Sequence, residues 1–381
     1  MVCLSFGSKD LKKVNGLTVF DKTYIYTSDI FNTTKKNAAD RITKVVTCSS
    51  LYLKPTFKES VTNWNGPMIL GVLIDDNELV GKQASCAYCT LKRMGNGILN
   101  NLQIHFIYKQ QHPFYSNDKI IHTLSVLNCS SMYSFNLYCT PDKISYNQKI
   151  INAGKFPINV LRNIMKEEVQ TNFMILTDLD HFYSVNFERK MSLVAKRVLK
   201  KGTKYALVMR MFEVSSKVKK SSVKNKRMLW KLMRNKKASE LHDSWYPLGH
   251  KIPRLKEWFK HKRTSVPTIQ FTHPYKVVEW EPQIITRKEI PDYYDMPYPL
   301  HSNTSHRREL CRAGFKFVIV NDVFAYHRGF KSKRESYFVK AVTNKHIKSD
   351  TFNRDSMAFE ERLDRMYPKT HSLCPRWTQR L

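Results

Sequence analysis

Apolar residues in this chain come in short, nearly continuous runs separated by polar or amphipathic stretches. Lys44-Val45-Val46-Thr47-Cys48 is the first run dense enough in β-branched residues to predict a strand. Thr56 to Trp64 has helical composition and stops at Asn65-Gly66-Pro67, after which Met68 to Ile74 reads as the next strand. A strand, helix, strand order predicts a parallel pair, because parallel neighbours need a crossover connection. The order recurs with Gln103 to Tyr108 as strand, Asn159 to Val169 as helix carrying Val160, Leu161 and Ile164, and Phe173 to Thr177 as a short buried strand. Tyr205 to Met211 reads as another central strand. Tyr275 to Ile285 follows, and then Phe315 to Val320 and Val323 to Tyr326, joined by a turn. The fold class predicted is α/β, a Rossmann-like mixed sheet flanked by helices. Residues 1–42 are polar and read as an irregular N-terminal segment, 43–330 as the main domain with a basic insertion at about 215–240, and 331–381 as a charged helical C-terminal tail.

Composition narrows the class. With 42% hydrophobic and 25% charged residues, 381 residues bury a sizeable core, which excludes a wholly disordered, collagen-like or coiled-coil chain. No window approaches the roughly 18 apolar residues of a spanning helix, and Met1 to Phe20 lacks the layout of a signal peptide. Lys plus Arg total 64 against 32 Asp plus Glu, a net charge of +32 that attracts polyanions: nucleic acid, anionic lipid, acidic polysaccharide or a nucleotide-bearing substrate. Lys217 to Lys237 concentrates that charge around Leu229, Trp230 and Leu232. It reads as a solvated, partly helical surface segment or, if functional, as a holder of acidic polymer. Eight cysteines suit an oxidising compartment without making a disulfide scaffold, and Cys86 and Cys89 form a CxxC short of zinc ligands, hence a loop disulfide or two ordinary thiols. Sequons at Asn32, Asn128 and Asn303 point weakly the same way.

The chemistry centres on Phe173-Met174-Ile175-Leu176-Thr177-Asp178-Leu179-Asp180. A buried strand ending in Asp-x-Asp sets two carboxylates at the carboxyl edge of a sheet, where open α/β folds bind ligands. Such a pair holds a hard divalent cation, and the cation clamps a diphosphate. Acidic residues are also common turn formers after strands, so the pair gains meaning from its surroundings. Before it lies Phe156-Pro157-Ile158-Asn159-Val160-Leu161-Arg162-Asn163, with Asn159 placed to cap a helix. Beyond it, Ala313 to Tyr326 ends in His327. A neutral imidazole beside two carboxylates suits Mn²⁺ better than Mg²⁺.

The order Phe-Pro-x-Asn-x-Leu-Arg-Asn, Asp-x-Asp, Val278-Glu279-Trp280-Glu281-Pro282, Glu309-Leu310 with Ala313-Gly314, and Asp322-x-Phe324-x-x-His327 resembles glycosyltransferase family 49, which includes LARGE-type and β-1,4-glucuronyltransferase enzymes. The resemblance runs from about Val45 to about Phe330. It implies a GT-A type fold and inverting transfer from a UDP-sugar, with UDP-glucuronic acid or UDP-xylose as candidate donors. The acceptor would be a glycan or glycoprotein, an acidic one among the candidates, with no specific nucleic acid. It further implies Mn²⁺ held by Asp178, Asp180 and His327, a donor side lined by Arg162, Asn163 and Asp178, and residence in the Golgi through an N-terminal anchor that this sequence does not contain. Inversion requires a base on the acceptor hydroxyl; Glu281 is the first candidate and Asp295 the second. The sequence departs from the family at Tyr298 to His306, where a glycine-rich stretch is replaced by one without glycine. That departure implies a reshaped pocket, and leaves a binding-only relative as the alternative to an enzyme. A basic nucleic-acid binder is the rival from another class, but no zinc-finger spacing, RNP1-type motif or Walker A loop is present.

Overall fold

In the computed structural model the described residues are 11–33, 38–76, 78–109, 115–130, 139 and 144–377. The apolar runs become the middle of a mixed sheet. Its strands are β1 (Lys12–Val14), β2 (Leu17–Phe20), β3 (Tyr24–Tyr26), β4 (Ile42–Ser49), β5 (Met68–Ile74), β6 (Leu102–Lys109), β7 (Phe173–Leu176), β8 (His181–Tyr183), β9 (Tyr205–Val214), β10 (Ala238–Glu240), β11 (Ile269–His273), β12 (Gln283–Arg287) and β13 (Lys316–Arg328). The spatial order is β1-β2-β3-β6-β5-β4-β7-β12-β9-β13-β11, with β10 on β9 and β8 on β13. β4 pairs in parallel with β5 and β7, and β5 with β6, as the strand, helix, strand order requires.

Three readings of the sequence are corrected. Residues 11–33 of the supposedly irregular N-terminus form a meander, β1 to β3, that extends the sheet through β6; residues 1–10, including Cys3, lie outside the described residues. Its strands are only three or four residues long, below the length at which alternation is legible, yet Leu17, Phe20 and Tyr26 are buried. Asn15 and Gly16, both at positive φ, make the hairpin turn. The proposed strand Tyr275 to Ile285 is instead a loop at 274–282 between β11 and β12, since Pro274 and Pro282 have no N–H for a ladder. The two strands around residue 321 are one bent strand: Asn321 and Asp322 form a bulge, with Asp322 at φ 69°, rather than a turn.

Side chains alternate across the sheet. Val46, Leu70 and Ile104 enter one core layer, and Val45, Ile69 and Leu73 the opposite one. Helix Ile158–Glu167 crosses β4 and β5 on the second side, and Gly71 permits its approach, because a Cβ there would sit 2.5 Å from Met165 Cγ. Asn159 falls inside its first turn, not at the cap, and donates to the Tyr294 carbonyl at 2.8 Å.

The C-terminal helices Lys333–Lys348 and Thr351–Met366 belong to the packed structure. Helix Thr304–Arg312 is almost wholly buried and charged, and the last helix neutralises it. Arg308 forms a two-pronged pair with Glu360, Glu309 accepts from Arg362 at 2.8 and 2.9 Å and from Tyr367 at 3.1 Å, and Arg312 meets Asp364 at 2.9 Å. Cys311–Cys374 adds a covalent tie, and Cys86–Cys139 and Cys89–Cys129 take each CxxC cysteine to a distant partner rather than to its neighbour. Removing one member of a buried pair strands the other charge, so Arg308→Ala should cost about 3–5 kcal/mol, checked as a fall in the chemical-denaturation midpoint.

Candidate active site

The geometry starts from β8. This three-residue strand follows the acidic turn directly and pairs antiparallel with the end of β13, with His181 opposite His327. That register sets Asp180, one residue earlier, against the imidazole: Asp180 Oδ2 lies 3.0 Å from His327 Nε2, while His327 Nδ1 lies 3.1 Å from the Gly329 carbonyl. Burial alone would lower the His327 pKa, but the hydrogen bond and charge of Asp180 outweigh it and raise the imidazole to about 9. Burial likewise works to raise Asp180, and the hydrogen bond from His327 with the charges of His181 and His327 holds its carboxyl well below the usual range.

Asp178, half-exposed, faces Arg162 Nη2 at 3.5 Å and His181 Nε2 at 3.8 Å. His181 is buried and bonded to Thr177 Oγ1 at 2.6 Å; burial lowers its pKa. Beneath them is Lys44, fully buried on β4, donating to Ser60 Oγ at 2.8 Å and to the His181 carbonyl at 3.3 Å. Burial pushes this amine down to about 7 although the charges of Asp180 and Asp178 pull it up.

Glu281 arrives on the 274–282 loop, its N–H bound to the Gly249 carbonyl at 2.8 Å. Its Oε1 lies 3.3 Å from His250 Nε2, without hydrogen-bond alignment. Burial raises Glu281 to about 7; Arg307 and Arg162 pull it down and Asp178 pushes it up, so it shares the electrostatic field of the acidic turn. Asp295 does not join this group: it is exposed, and besides burial it is the charge of Asp355 that raises it. Asn163 sits next to Arg162, but its amide is spent on the Tyr293 backbone, donating at 2.8 Å and accepting at 2.8 Å. It fixes the loop, and Arg162 faces the turn.

Sequence reasoning missed Lys44, His181, His242, His250 and Glu213. His242 Nε2 lies 3.6 Å from Glu213 Oε1, its ring packs edge-on to His250 with centroids 5.2 Å apart, and burial followed by the charges of Lys331 and His327 lowers its pKa to about 4. Only His181 had a signal, its place immediately after Asp-x-Asp. The glycine-free stretch borders the site: Ser302 accepts from Arg162 Nη1 at 3.4 Å, Asn303 hydrogen-bonds Glu281, and burial followed by the charge of Asp178 raises Tyr298 to about 12. Half-buried Asn303 is thus committed to the site, whereas the sequons at Asn32 and Asn128 are exposed.

Among the described residues no three His, Cys, Asp or Glu side chains converge closely enough to hold one metal ion as they stand. Asp180 closes on His327, and Asp178 leans to Arg162. The donor set still fits a transition-metal cation in kind, two carboxylates and one imidazole on a solvent-reaching edge. A cation would replace the proton that Asp180 and His327 now share.

The chain is thus a mixed α/β sheet with helices on both faces and an Asp-x-Asp turn at its edge, the fold class expected from the sequence. Residues 41–368 match the family described as glycosyl-transferase for dystroglycan, and the chain belongs to that family. It is 23% identical over 259 residues to beta-1,4-glucuronyltransferase 1 of Danio rerio, covering 66% of this chain and 56% of that protein. With xylosyl- and glucuronyltransferase LARGE1 of Gallus gallus it shares 24% over 184 residues, 47% of this chain and 23% of the relative. The chain therefore spans little more than half of the first relative and about a quarter of the second. Among solved structures, Staphylococcus aureus TarS 1-349 in complex with UDP aligns at TM-score 0.36 and 11% identity over 87% of this chain and 73% of that one. GalNAc-T7 with UDP, GalNAc and Mn2+ aligns at TM-score 0.34 and 10% identity over 79% and 48%.

The His327 pair generates a pH prediction. A folded pKa near 9 against an ordinary 6.5 means that the contact stabilises fully below pH 6.5 and is lost as pH rises through 9. In metal-free protein, NMR titration of the His327 ring should show a midpoint near 9. Asp180→Asn should bring it down by about two units, toward the ordinary imidazole value.

Proposed function

We propose that this protein transfers a sugar from a UDP-sugar to a hydroxyl of a glycan or glycoprotein acceptor, with inversion at the anomeric carbon. The observation that supports this reading is the contact of Asp180 with His327 at one sheet edge, two residues from Asp178 on the same acidic turn, with Glu281 in the same electrostatic field, in a chain of this family. Asp178, Asp180 and His327 would hold a divalent cation, for which Mn²⁺ is the expectation; when bound, it supplies positive charge to the departing diphosphate. Arg162, already facing Asp178, adds a second positive group on the donor side, and Asn163 keeps the Tyr293 loop in place behind it. Glu281 accepts the proton of the acceptor hydroxyl: with a pKa of about 7 it is part carboxylate at neutral pH and basic enough to take a proton as the new bond forms. Asp295 becomes the weaker candidate for that role because its charged neighbour is Asp355 and not the acidic turn.

The donor proposed is UDP-glucuronic acid or UDP-xylose, after the activities in the names of the relatives. The compartment proposed is the Golgi lumen. Three disulfides within the described residues support an oxidising environment. No helix among those residues is long and apolar enough to cross a membrane.

The test is UDP release from UDP-glucuronic acid, UDP-xylose, UDP-glucose and UDP-N-acetyl sugars with glycan acceptors, with and without Mn²⁺. Turnover of one donor with acceptor present is expected, and none with any donor would overturn the reading. Asp180→Asn should abolish Mn²⁺-dependent UDP binding by calorimetry while the protein stays folded, losing only the stability that the contact with His327 contributes below pH 9. Glu281→Gln should leave UDP binding intact and lower kcat by about 10²–10⁴-fold. In wild type, kcat should rise with pH through about 7 as the Glu281 carboxylate is freed.

A further inference from the structure

Away from the acidic turn lies a cavity of about 660 Å³ lined by basic residues. It lies between helix Lys226–Arg234, helix Leu255–Lys260 and the start of helix Phe187–Val198. Lys190, Lys224, Arg227, Lys256, Lys260 and Arg263 line it, and none of the six forms an ion pair with a carboxylate among the described residues. The one acid in the wall, Asp322, is already neutralised: Lys226 Nζ lies 2.9 Å away and Thr264 Oγ1 donates at 2.7 Å. Six cations that no carboxylate pairs directly, in one concave wall, repel one another. At Lys190 burial lowers the pKa first, the charge of Arg263 lowers it further, and Asp322 opposes them. One side of the cavity is apolar: Trp230, 42% exposed, packs on Phe259 with ring centroids 4.8 Å apart. The place is distinct from the active site, since its wall contains none of Asp178, Asp180, Glu281 and His327, and Asp322 lies five residues before His327 on β13, at most about 16 Å at about 3.3 Å per residue.

We propose that this cavity is a second saccharide site, binding an anionic oligosaccharide segment through its sulfate, phosphate or uronate groups while the Trp230 and Phe259 rings take an apolar sugar face. The cations supply charge, and the indole supplies the flat surface that a pyranose ring stacks against. Its volume falls in the range of pockets that enclose small ligands, about 300–1,000 Å³, and suits a short segment rather than a long polymer. A single-stranded nucleic acid needs successive stacking rings along a groove, and here a single aromatic pair, Trp230 and Phe259, stands at the wall. That the anion is carried by a saccharide rests on the proposed glycosyl transfer; that the site takes an anion rests on the cavity alone.

The experiment uses the full chain and calorimetric titration with a heparin hexasaccharide, a phosphorylated and a uronate hexasaccharide, neutral maltohexaose and a six-nucleotide single-stranded DNA. One-to-one binding of at least one anionic hexasaccharide, and none of maltohexaose, is expected; which one binds identifies the anionic group. Replacing the exposed Lys224, Arg227, Lys256 and Arg263 by serine should weaken it at least about tenfold, with the salt dependence flattened. Trp230→Ala should weaken it about fivefold, and Trp230 fluorescence in the wild type should change on binding. UDP binding and the unfolding midpoint should stay unchanged in both variants. Unchanged hexasaccharide affinity in the serine variant overturns the proposal, as does DNA binding as tight as the best saccharide and lost with it. If the saccharide binds as expected and no donor is turned over, the cavity stands and the glycosyl-transfer reading fails. Turnover without saccharide binding has the opposite meaning: glycosyl transfer stands and the second site fails.

Discussion

The pairing of β8 with the end of β13 is the contact on which the site depends. Three residues, His181 to Tyr183, lie antiparallel on Ala325 to His327, and this register alone brings a carboxylate from the middle of the chain to a histidine 147 positions later. Without it, the acidic turn after β7 would be an exposed strand end like many others. The contact is charged and half-exposed, too weak to assemble the sheet by itself. Its rigidity comes from the layers beneath: Phe182 and Tyr326 stack on one side, and Tyr183 packs with Trp64 and Phe187 on the other.

Below the same turn sits a charge that packing would ordinarily reject. Lys44 is fully buried, with a hydroxyl and a carbonyl as hydrogen-bond partners and no carboxylate in contact among the described residues. Its presence is understandable electrostatically, because Asp178 and Asp180 overhead favour a positive group and burial opposes one, leaving the amine near neutrality at about 7. The two carboxylates are thus held over a group whose charge can respond to theirs. Glu281 is tuned from the other direction, a carboxylate pushed by burial toward the basicity that a proton acceptor needs.

The large cationic surplus has two destinations. Part of it is internal: Arg210, Arg307, Arg308, Arg312 and Lys44 are all buried, and Arg308 and Arg312 of helix Thr304–Arg312 bind the last helix by ion pairs. Part lies at the surface, and six of those cations line the cavity beside Trp230. A net charge read from composition cannot distinguish these, although one stabilises the fold and the other attracts ligands.

The central parallel strands, the helix carrying Arg162, the acidic turn and the terminal histidine were all legible in the sequence, because continuous apolar runs and Asp-x-Asp are local patterns. The family order of motifs was legible too. What the chain could not disclose locally was decided by long-range packing. Three short N-terminal strands gain their structure only by adding to the edge of β6, and Asn321-Asp322 looks like a turn until the register on β9 makes it a bulge. Cys86 and Cys89 look paired by proximity, but each finds a partner 53 or 40 residues away. Between the two candidate bases, Glu281 and Asp295, residue order offered no ground for choice beyond a neighbouring tryptophan. The fold separates them, because only Glu281 lies in the field of Asp178 and Arg162, and fields depend on distance in space and burial, which residue order does not contain.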